Sequence, residues 1–550
     1  MNNHSIKLFF RQLNARDKEL KIIVALAVVF FVIYAYFPAT QPAKFVSPDA
    51  TANYFFTKQF AEQSTLSYQE PLAEISRNLV LPRSTEAADG QIVPTSFLGI
   101  ILIYGSLAKI FTTNIIVFIT PLLASLTVIF FYLILKQVFA KRIAFISSLL
   151  LYILPAFWYY SSRAMMHQIA FVAFFVMGLY WTLTALKKTK LLYYLLGGLF
   201  LGLALIVRTS EIWWVALLLV ILFIANRQKM KWGYLVWWAL MLGIVFVPIL
   251  FFNNQLYGSP LATAYKGTVE AVTASGSSSA GLWSKISSLI FPFGISWAQF
   301  SVNFWHYFIQ YFFWLSLPAV FGFFLYLRQW CQKKLSQPQI VFMISFVIVG
   351  LWQVAYYGSW RIVEFEDPSV LILGSSYIRY WLILSIFSLP FISAFILRLA
   401  TLIKKKWSQV VFPIVVISFL IFFSAQVVLL DPLYGLSKIK QDTLDYQDYS
   451  DQLNQVTEDN SVIISGTADK VFWPERDVIV SYQPDYKFID GVLKPLLKQV
   501  SVYFYHIRWQ TQSQEFLKAL PQYNISYVET SQIDSDLTLY QLRDNGGISD

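Results

Sequence analysis

The 550-residue chain has few charged side chains and a single cysteine. Charged residues make up 13% of it, against roughly 25% in soluble domains, so a set of soluble domains is excluded. The lone cysteine, Cys331, excludes an internal disulfide framework and a cysteine-rich metal site. Soluble-enzyme motifs are also missing: there is no Walker loop, no G-x-S-x-G, no H-E-x-x-H and no cysteine–histidine cluster.

Hydrophobic residues are abundant instead, at 57% of the chain with a mean hydropathy of +0.55. The charges cluster between apolar runs close to the ~20 residues that span a bilayer. This pattern is typical of a polytopic membrane protein. The basic segment 1–21 precedes a first apolar run, Ile22 to Tyr36, that no convincing signal-peptidase site follows, so we expect a retained signal-anchor helix.

Basic residues concentrate in short segments that mark the cytoplasmic side of a membrane. Six segments hold 21 of the 42 Lys and Arg residues and only two acidic residues, whereas residues 431–550 carry 10 basic and 18 acidic residues. The net charge of +11 therefore indicates membrane orientation and not nucleic-acid binding. We expect a multi-pass protein of the cell membrane with a cytoplasmic N-terminus and an external C-terminal domain. The six segments are 1–21, 136–142, 187–190, 227–231, 328–334 and 398–406.

Placing these segments inside predicts about eleven membrane-spanning helices. The run Ile92 to Phe111 is long enough to cross, but crossing would invert every later loop. We interpret it as a re-entrant or surface-lying helix of a large external loop, residues 40–114. Glycines 197, 198 and 202 form a small-xxx-small face for close helix packing. The predicted spans are 22–39, 115–135, 143–160, 168–186, 191–207, 211–226, 232–252, 305–327, 339–357, 380–397 and 409–430.

The tail after Leu430 changes character. "SVIISG", "DVIVSY", "SVYFYHI" and "NISYVET" are typical of short strands, with amphipathic helices between them. The predicted fold class is an all-α polytopic membrane protein with a small external α/β C-terminal domain. The predicted domains are a cytoplasmic N-terminus (1–21), a transmembrane domain (22–430, including loop 40–114) and the external domain (431–550).

Polar residues that could take part in a reaction fall on the predicted external side. Ionisable residues at membrane depth are costly and are usually retained for a partner or a function. Each of them also has an ordinary structural interpretation. Arg208 and Glu211 have the i, i+3 spacing of a structural ion pair, and the other candidates could be interfacial anchors, turn residues or helix caps. The candidates are Asp49, Arg163, His167, Arg208 with Glu211, Tyr257, Tyr265, Lys266, Arg379 and Tyr380.

Together these groups favour one kind of chemistry. A carboxylate can deprotonate an acceptor hydroxyl or amine, and arginines can hold a phosphate as negative charge develops on a leaving group. A lipid-phosphate sugar presents such a leaving group at the bilayer surface, and its tail needs an apolar groove. The acids Glu364, Glu366 and Asp367 fit a solvated face, and a divalent cation site there is left open.

Four segments resemble the polytopic glycosyltransferases of the C-type fold (GT-C), over roughly residues 10–430. The resemblance is closest to the bacterial branch related to protein O-mannosyltransferases and to the aminoarabinose transferase of lipid A. The segments are "SPDATANYFFTKQFAEQSTLSY", "GGLFLGLALIVRTSEIWW", "NNQLYGSPLATAY" and "GSSYIRYWL".

The resemblance implies an inverting enzyme that moves a sugar from a polyprenyl-phosphate donor to an external protein, lipid or cell-wall acceptor. Asp49 matches the family's usual catalytic base, and Arg379 and Tyr380 match a pair near the donor phosphate. Many relatives follow this aspartate with a glutamate, but here Ala50 follows it, and the second external loop offers His167 instead of an acid. We therefore expect a metal-free mechanism with no cofactor.

Two other functions remain open from the sequence. A transporter or flippase of a polyprenyl-linked or anionic lipid would favour internal repeats, and none is evident. A ligase that transfers a whole glycan from a polyprenyl pyrophosphate would share the architecture and differ only in its donor.

Overall fold

The fold comes from a computed structural model that describes residues 17–88, 90–262, 290–291, 294–362, 370–403, 405 and 407–547. The candidates Tyr265 and Lys266, and the acids between 363 and 369, lie outside the described residues. In chain order the helices are α1 Lys18–Thr40, α2 Pro48–Gln63, α3 Leu98–Ile110, α4 Ile116–Val138, α5 Lys141–Ile153, α6 Pro155–Ser161, α7 His167–Lys188, α8 Leu191–Val207, α9 Ile212–Ala225, α10 Trp232–Ile244, α11 Val247–Tyr257, α12 Trp297–Asn303, α13 Phe313–Cys331, α14 Gln337–Gly358, α15 Ser376–Tyr380, α16 Leu382–Leu402, α17 Ser408–Leu430, α18 Leu436–Asn454, α19 Asp469–Phe472, α20 Tyr486–Phe488, α21 Lys494–Leu497 and α22 Thr511–Ala519. The strands are β1 Tyr68–Gln69, β2 Thr85–Ala88, β3 Gln91–Pro94, β4 Val462–Ile464, β5 Asp477–Ile479, β6 Val502–Ile507, β7 Ile525–Gln532 and β8 Leu537–Asp544.

The described residues form two compact units, and each unit is assembled from separate parts of the chain. The membrane unit lies within residues 1–39, 117–249 and 266–438. The other, which we call the outer unit because the sequence predicts it on the external side, lies within residues 40–116, 250–265 and 439–550.

Apolar helices of membrane-spanning length dominate the chain, because an α-helix satisfies all its own backbone hydrogen bonds in lipid. In the described parts of the chain, seven helices are long and apolar enough to cross a membrane, and three bent pairs would each make a broken span. One such pair, Leu191–Val207 with Thr209–Ala225, bends by 116° at Arg208. The sequence predicts that pair as two spans, so its count of eleven exceeds by one the ten spans that the described helices give when each bent pair is one span.

Close packing of α8 depends on the predicted glycine face. A Cβ atom at Gly198 would collide with the carbonyl oxygen of Trp238, and one at Gly202 would come within 3.0 Å of the Leu242 carbonyl oxygen. These glycines therefore allow the backbones of α8 and α10 to approach closely.

The run from Ile92 to Phe111 is not one continuous helix. Residues 91–94 form strand β3, and helix α3 covers only Leu98–Ile110, or 13 residues. A helix of that length rises about 20 Å, which is short of the ~30 Å hydrocarbon core. The predicted start of a helix near Ile92 was wrong, because β3 pairs with both β1 and β2.

The outer unit contains a five-stranded sheet with the strand order β5-β4-β6-β8-β7. Strands β5, β4 and β6 are parallel, and β8 and β7 are antiparallel neighbours. The four strands predicted for the tail are confirmed. Strand β8 was missed, because its polar residues Gln541, Arg543 and Asp544 weaken the apolar alternation.

Two hydrophobic cores among the described residues of the outer unit include residues from the first loop. One core joins Leu72 and Val80 to the tail residue Ile464. The other packs Phe55 and Tyr68 against tail residues that include Trp473. The loop and the tail therefore fold around shared cores.

Candidate active site

Asp49 lies in the first turn of α2, with its side chain exposed. The helix starts at Pro48, and Ser47, which precedes it, occupies the N-cap position. The Asp49 Oδ1 atom accepts a hydrogen bond of 2.5 Å from the Ser84 hydroxyl. A carboxylate in a first turn is also favoured by the positive end of the helix dipole.

Two more polar residues follow Asp49 at one-turn intervals on the same helix. Asn53 and Thr57 are fully buried, at 0% exposure. Among the described residues, neither the Asn53 amide nor the Thr57 hydroxyl has a hydrogen-bond partner. Buried polar atoms without partners are rare and costly, and nothing near Asn53 or Thr57 in the sequence marks either as a candidate.

In the membrane unit, Arg208 and Glu211 form a buried ion pair. The Arg208 Nε atom lies 2.8 Å from Glu211 Oε1, and the two side chains are 6% and 5% exposed. Tyr357 connects to both, since its hydroxyl donates to Glu211 Oε1 at 2.6 Å and accepts from Arg208 Nη2 at 3.1 Å. The Trp214 indole donates to the other Glu211 oxygen at 2.5 Å. The structure therefore gives Arg208 the structural partner that its spacing predicts.

The Tyr380 ring makes cation–π contacts with two arginines, Arg208 and Arg379. The Arg208 and Arg379 guanidinium groups lie 5.3 Å and 5.2 Å from the centre of its ring, which also stacks on Tyr357. The side chains of Arg208, Glu211, Arg379 and Tyr380 line a small cavity. We call these four residues, with Tyr357, the arginine–tyrosine cluster.

A larger apolar cavity lies between five helices of the membrane unit. Ile383 lines both this cavity and the smaller one, and Trp214 lines the larger one while it donates to Glu211. The lining also includes Lys187 and Lys229 among side chains that are otherwise mostly apolar. The helices that line the large cavity are α4, α7, α9, α14 and α16.

The other predicted site residues lie in two different environments. Arg163 donates to the Tyr159 hydroxyl at 3.3 Å, and His167 begins helix α7 of the membrane unit. Tyr257, in the outer unit, is buried and donates to the Pro94 carbonyl oxygen at 2.5 Å. The sequence did not single out Tyr357, because it looks like an ordinary interfacial tyrosine at the end of an apolar helix.

No group of three or more His, Cys, Asp or Glu side chains within the described ranges could hold a metal ion. Asp49 has no second acidic side chain beside it in the chain, since Ala50 follows. The metal-free mechanism stays a prediction.

The outer unit contains a buried glutamate whose proton affinity is perturbed. Burial raises the pKa of the Glu70 carboxyl from its ordinary value of 4.5 to about 7, and the charge of Asp477 adds to the rise. Glu70 is 4% exposed, and its Oε1 atom accepts from the Leu72 amide at 3.0 Å. Burial also raises the pKa of Asp477.

We expect the stability of the outer unit to depend on the ionisation of Glu70. The folded state binds the Glu70 proton more tightly than the unfolded chain does. The stabilisation of the fold by this proton is therefore complete below about pH 4.5 and is lost as the pH rises through about 7. In Glu70→Gln the melting temperature at pH 8 should rise by about 3 °C or more, with little change near pH 4.5. Thermal unfolding of the full chain followed by fluorescence tests this, and Glu74→Gln, an exposed neighbour, is the control. An equal pH dependence in Glu70→Gln and the parent would contradict it.

The comparisons with known proteins agree with these features. Residues 97–252 match the family model described as dolichyl-phosphate-mannose-protein mannosyltransferase, which covers less than a third of the chain. No curated protein matches the chain by sequence. Among solved structures, ArnT from Cupriavidus metallidurans bound to undecaprenyl phosphate aligns with a TM-score of 0.57 at 10% identity, over 98% of this chain and 100% of that chain.

The Archaeoglobus fulgidus oligosaccharyltransferase in its apo form aligns with a TM-score of 0.54 at 12% identity, over 97% of this chain and 75% of that chain. The chain has the fold of the C-type glycosyltransferases. This C-type fold, taken with the partial family match, supports membrane glycosyltransferase activity in general.

Proposed function

We propose that the protein transfers a sugar from a polyprenyl-phosphate donor to an acceptor on the external face of the cell membrane. The observation that carries the proposal is the pairing of two cavities in the membrane unit. One is a small cavity with two arginines and a tyrosine, and the other is a long apolar cavity that shares Ile383 with it. The guanidinium groups of the first suit a phosphate, and the apolar lining of the second suits an isoprenoid chain.

The comparisons support the same donor class. The matched family model names a dolichyl-phosphate sugar, and the solved ArnT structure contains undecaprenyl phosphate. Both are polyprenyl phosphates. The sugar and the acceptor of this chain are not specified by either likeness.

In the proposed reaction, Asp49 takes the proton from an acceptor hydroxyl or amine as that group attacks the anomeric carbon of the sugar. The bond between the anomeric carbon and the phosphate oxygen breaks, and polyprenyl phosphate leaves with the bonding electrons. Attack opposite the leaving group inverts the anomeric configuration. Arg379 stabilises the negative charge that develops on the phosphate, and Arg208 holds Tyr380 and Glu211 in place.

The proposal requires no metal ion. A single carboxylate supplies the base, and guanidinium groups supply the positive charge that a divalent cation would otherwise bring to the phosphate. Transfer should therefore persist when divalent cations are chelated.

Identification of the donor tests the function. The purified full-length chain is searched by mass spectrometry for a co-purified polyprenyl-phosphate sugar. Proteoliposomes are then supplied with radiolabelled C55 polyprenyl-phosphate hexoses and a membrane extract as the acceptor source. We expect release of polyprenyl phosphate together with labelled acceptor. Movement of the labelled lipid between leaflets without cleavage would favour a flippase, and consumption of only a pyrophosphate-linked glycan would favour the ligase.

A further inference from the structure

The tail of the outer unit forms several hydrogen bonds with the loop that carries Ser84. Asp469, which is 2% exposed, holds Arg83 through three contacts. Its Oδ1 atom accepts from Arg83 Nε at 2.8 Å and from Nη2 at 2.6 Å, and its Oδ2 atom accepts from the Arg83 backbone amide at 2.8 Å. The same Nη2 atom donates to the Thr467 carbonyl oxygen at 2.5 Å. One buried carboxylate thus fixes both the side chain and the backbone of residue 83.

Ser84 follows directly and has an unusual backbone conformation. Its φ angle is +62°, in the left-handed region that a non-glycine residue rarely adopts. The Ser84 carbonyl oxygen accepts from the Thr95 amide at 3.1 Å, and its hydroxyl donates to Asp49 Oδ1. A conformation of this kind persists only where its surroundings determine it, and the Asp469–Arg83 contacts are part of those surroundings.

The same tail segment also holds the chain just before Asp49. The Lys44 ammonium donates to the Val471 carbonyl oxygen at 2.8 Å and to Glu475 Oε2 at 2.6 Å. The Lys470 ammonium donates to the Val46 carbonyl oxygen at 2.9 Å. We call residues 469–475 the clamp segment.

The clamp segment also contacts helix α2, which carries Asp49 in its first turn. The Trp473 ring lies 4.4 Å from the Phe55 ring, centre to centre, within the shared core. The segment therefore contacts the chain before Asp49, the helix after it and the loop that donates to it.

We infer that Asp469 and Ser84 are positioning residues for Asp49 in the transfer reaction. Ser84 occupies one carboxylate oxygen of Asp49 and leaves the other to take the acceptor proton, while Asp469 fixes Ser84 through Arg83. This inference rests on the proposed function, because it assumes that Asp49 is the base. A displacement of a reacting group by ~1 Å costs on the order of 10²-fold in rate, so we expect the effect in kcat and not in stability alone.

The test compares Ser84→Ala and Asp469→Asn in the full-length chain, with the radiolabelled hexose transfer assay in proteoliposomes. Each variant should lower kcat by about 10-fold or more with little change in the KM of the donor. Glu515→Gln, on helix α22 of the same unit, is the matched control, because it removes one exposed carboxylate outside the clamp segment. We expect nearly unchanged kcat for this control.

Two combined variants separate a positioning role from a purely structural one. Ser84→Ala should have no further effect in an Asp49→Asn background, because Ser84 acts through that carboxylate. Ser84→Ala with Asp469→Asn should be no slower than the slower single variant, because both belong to one set of contacts. A general loss of folding would instead lower the melting temperature and give additive effects.

The outcomes distinguish this inference from the proposed function. Full activity in Asp49→Asn would reject Asp49 as the base and, with it, the premise. Loss of activity in Asp49→Asn together with wild-type kcat in a folded Ser84→Ala would overturn the positioning role alone. Ser84 is partly exposed, so this variant keeps the test decisive if Asp469→Asn unfolds.

Discussion

Asp49→Asn is expected to lower kcat for sugar transfer by about 10²–10⁴-fold while the protein remains folded. Asparagine has nearly the same shape and its oxygen can still accept the hydrogen bond from Ser84, but it cannot take a proton from the acceptor. The side chain is exposed, so its replacement should cost only the modest helix-dipole interaction, about 0.3–1 kcal/mol. Initial transfer rates, with melting temperature and membrane insertion measured in parallel, check the prediction.

A matched control lies on the same helix. Glu62 is an exposed carboxylate near the end of α2, and Glu62→Gln removes one negative charge without touching the first turn. We expect transfer within about twofold of the parent. Equal losses in the two variants would point to a general charge effect, and full transfer in Asp49→Asn would place the catalytic base elsewhere.

Arg208→Met is expected to unfold or severely destabilise the membrane unit. The substitution would leave Glu211, which is 4% exposed, without its cationic partner. Breaking a buried ion pair from one side costs about 3–5 kcal/mol, because a buried charge is left uncompensated. The measurement is the melting temperature and the fraction of monodisperse protein after detergent extraction. Arg142→Gln, which removes an exposed arginine from the predicted cytoplasmic side, should leave both unchanged.

The double variant Arg208→Met with Glu211→Gln tests what the pair does beyond folding. Glutamine removes the unpaired charge and its oxygen can still accept from Tyr357 or Trp214, so most of the lost stability should return. If Arg208 also orders Tyr380 and the donor phosphate, transfer by this folded protein should remain at least about 10-fold below the parent. Recovery of both stability and transfer would make the pair a structural feature only.

Much of the fold could be predicted from the sequence because its signals are local. The apolar runs predict the long helices, and four of the five strands of the tail sheet follow from their own apolar alternation. The errors arise where partners are distant in the chain. Residues 91–94 form a strand because β1 and β2 pair with them, and β8 is held by β6 and β7 in spite of its polar residues.

The candidate site was only partly predictable. The i, i+3 spacing of Arg208 and Glu211 indicated their ion pair, and the structure places Arg379 and Tyr380 beside it. Tyr357 was missed because it comes 149 residues after Arg208, and nothing near it in the sequence marks its role. The roles of Asp49 and Arg379 in the reaction stay predictions.

By itself, the sequence determined a multi-pass helical protein with a small α/β tail, since hydropathy and alternation act over one helix or strand at a time. Only the tertiary structure decided that the first loop and the tail share their cores and that Asp469 holds Arg83 across 386 residues of chain. Such contacts form because packing brings buried charges together with the few groups that can satisfy them. That condition has no local signature in the sequence.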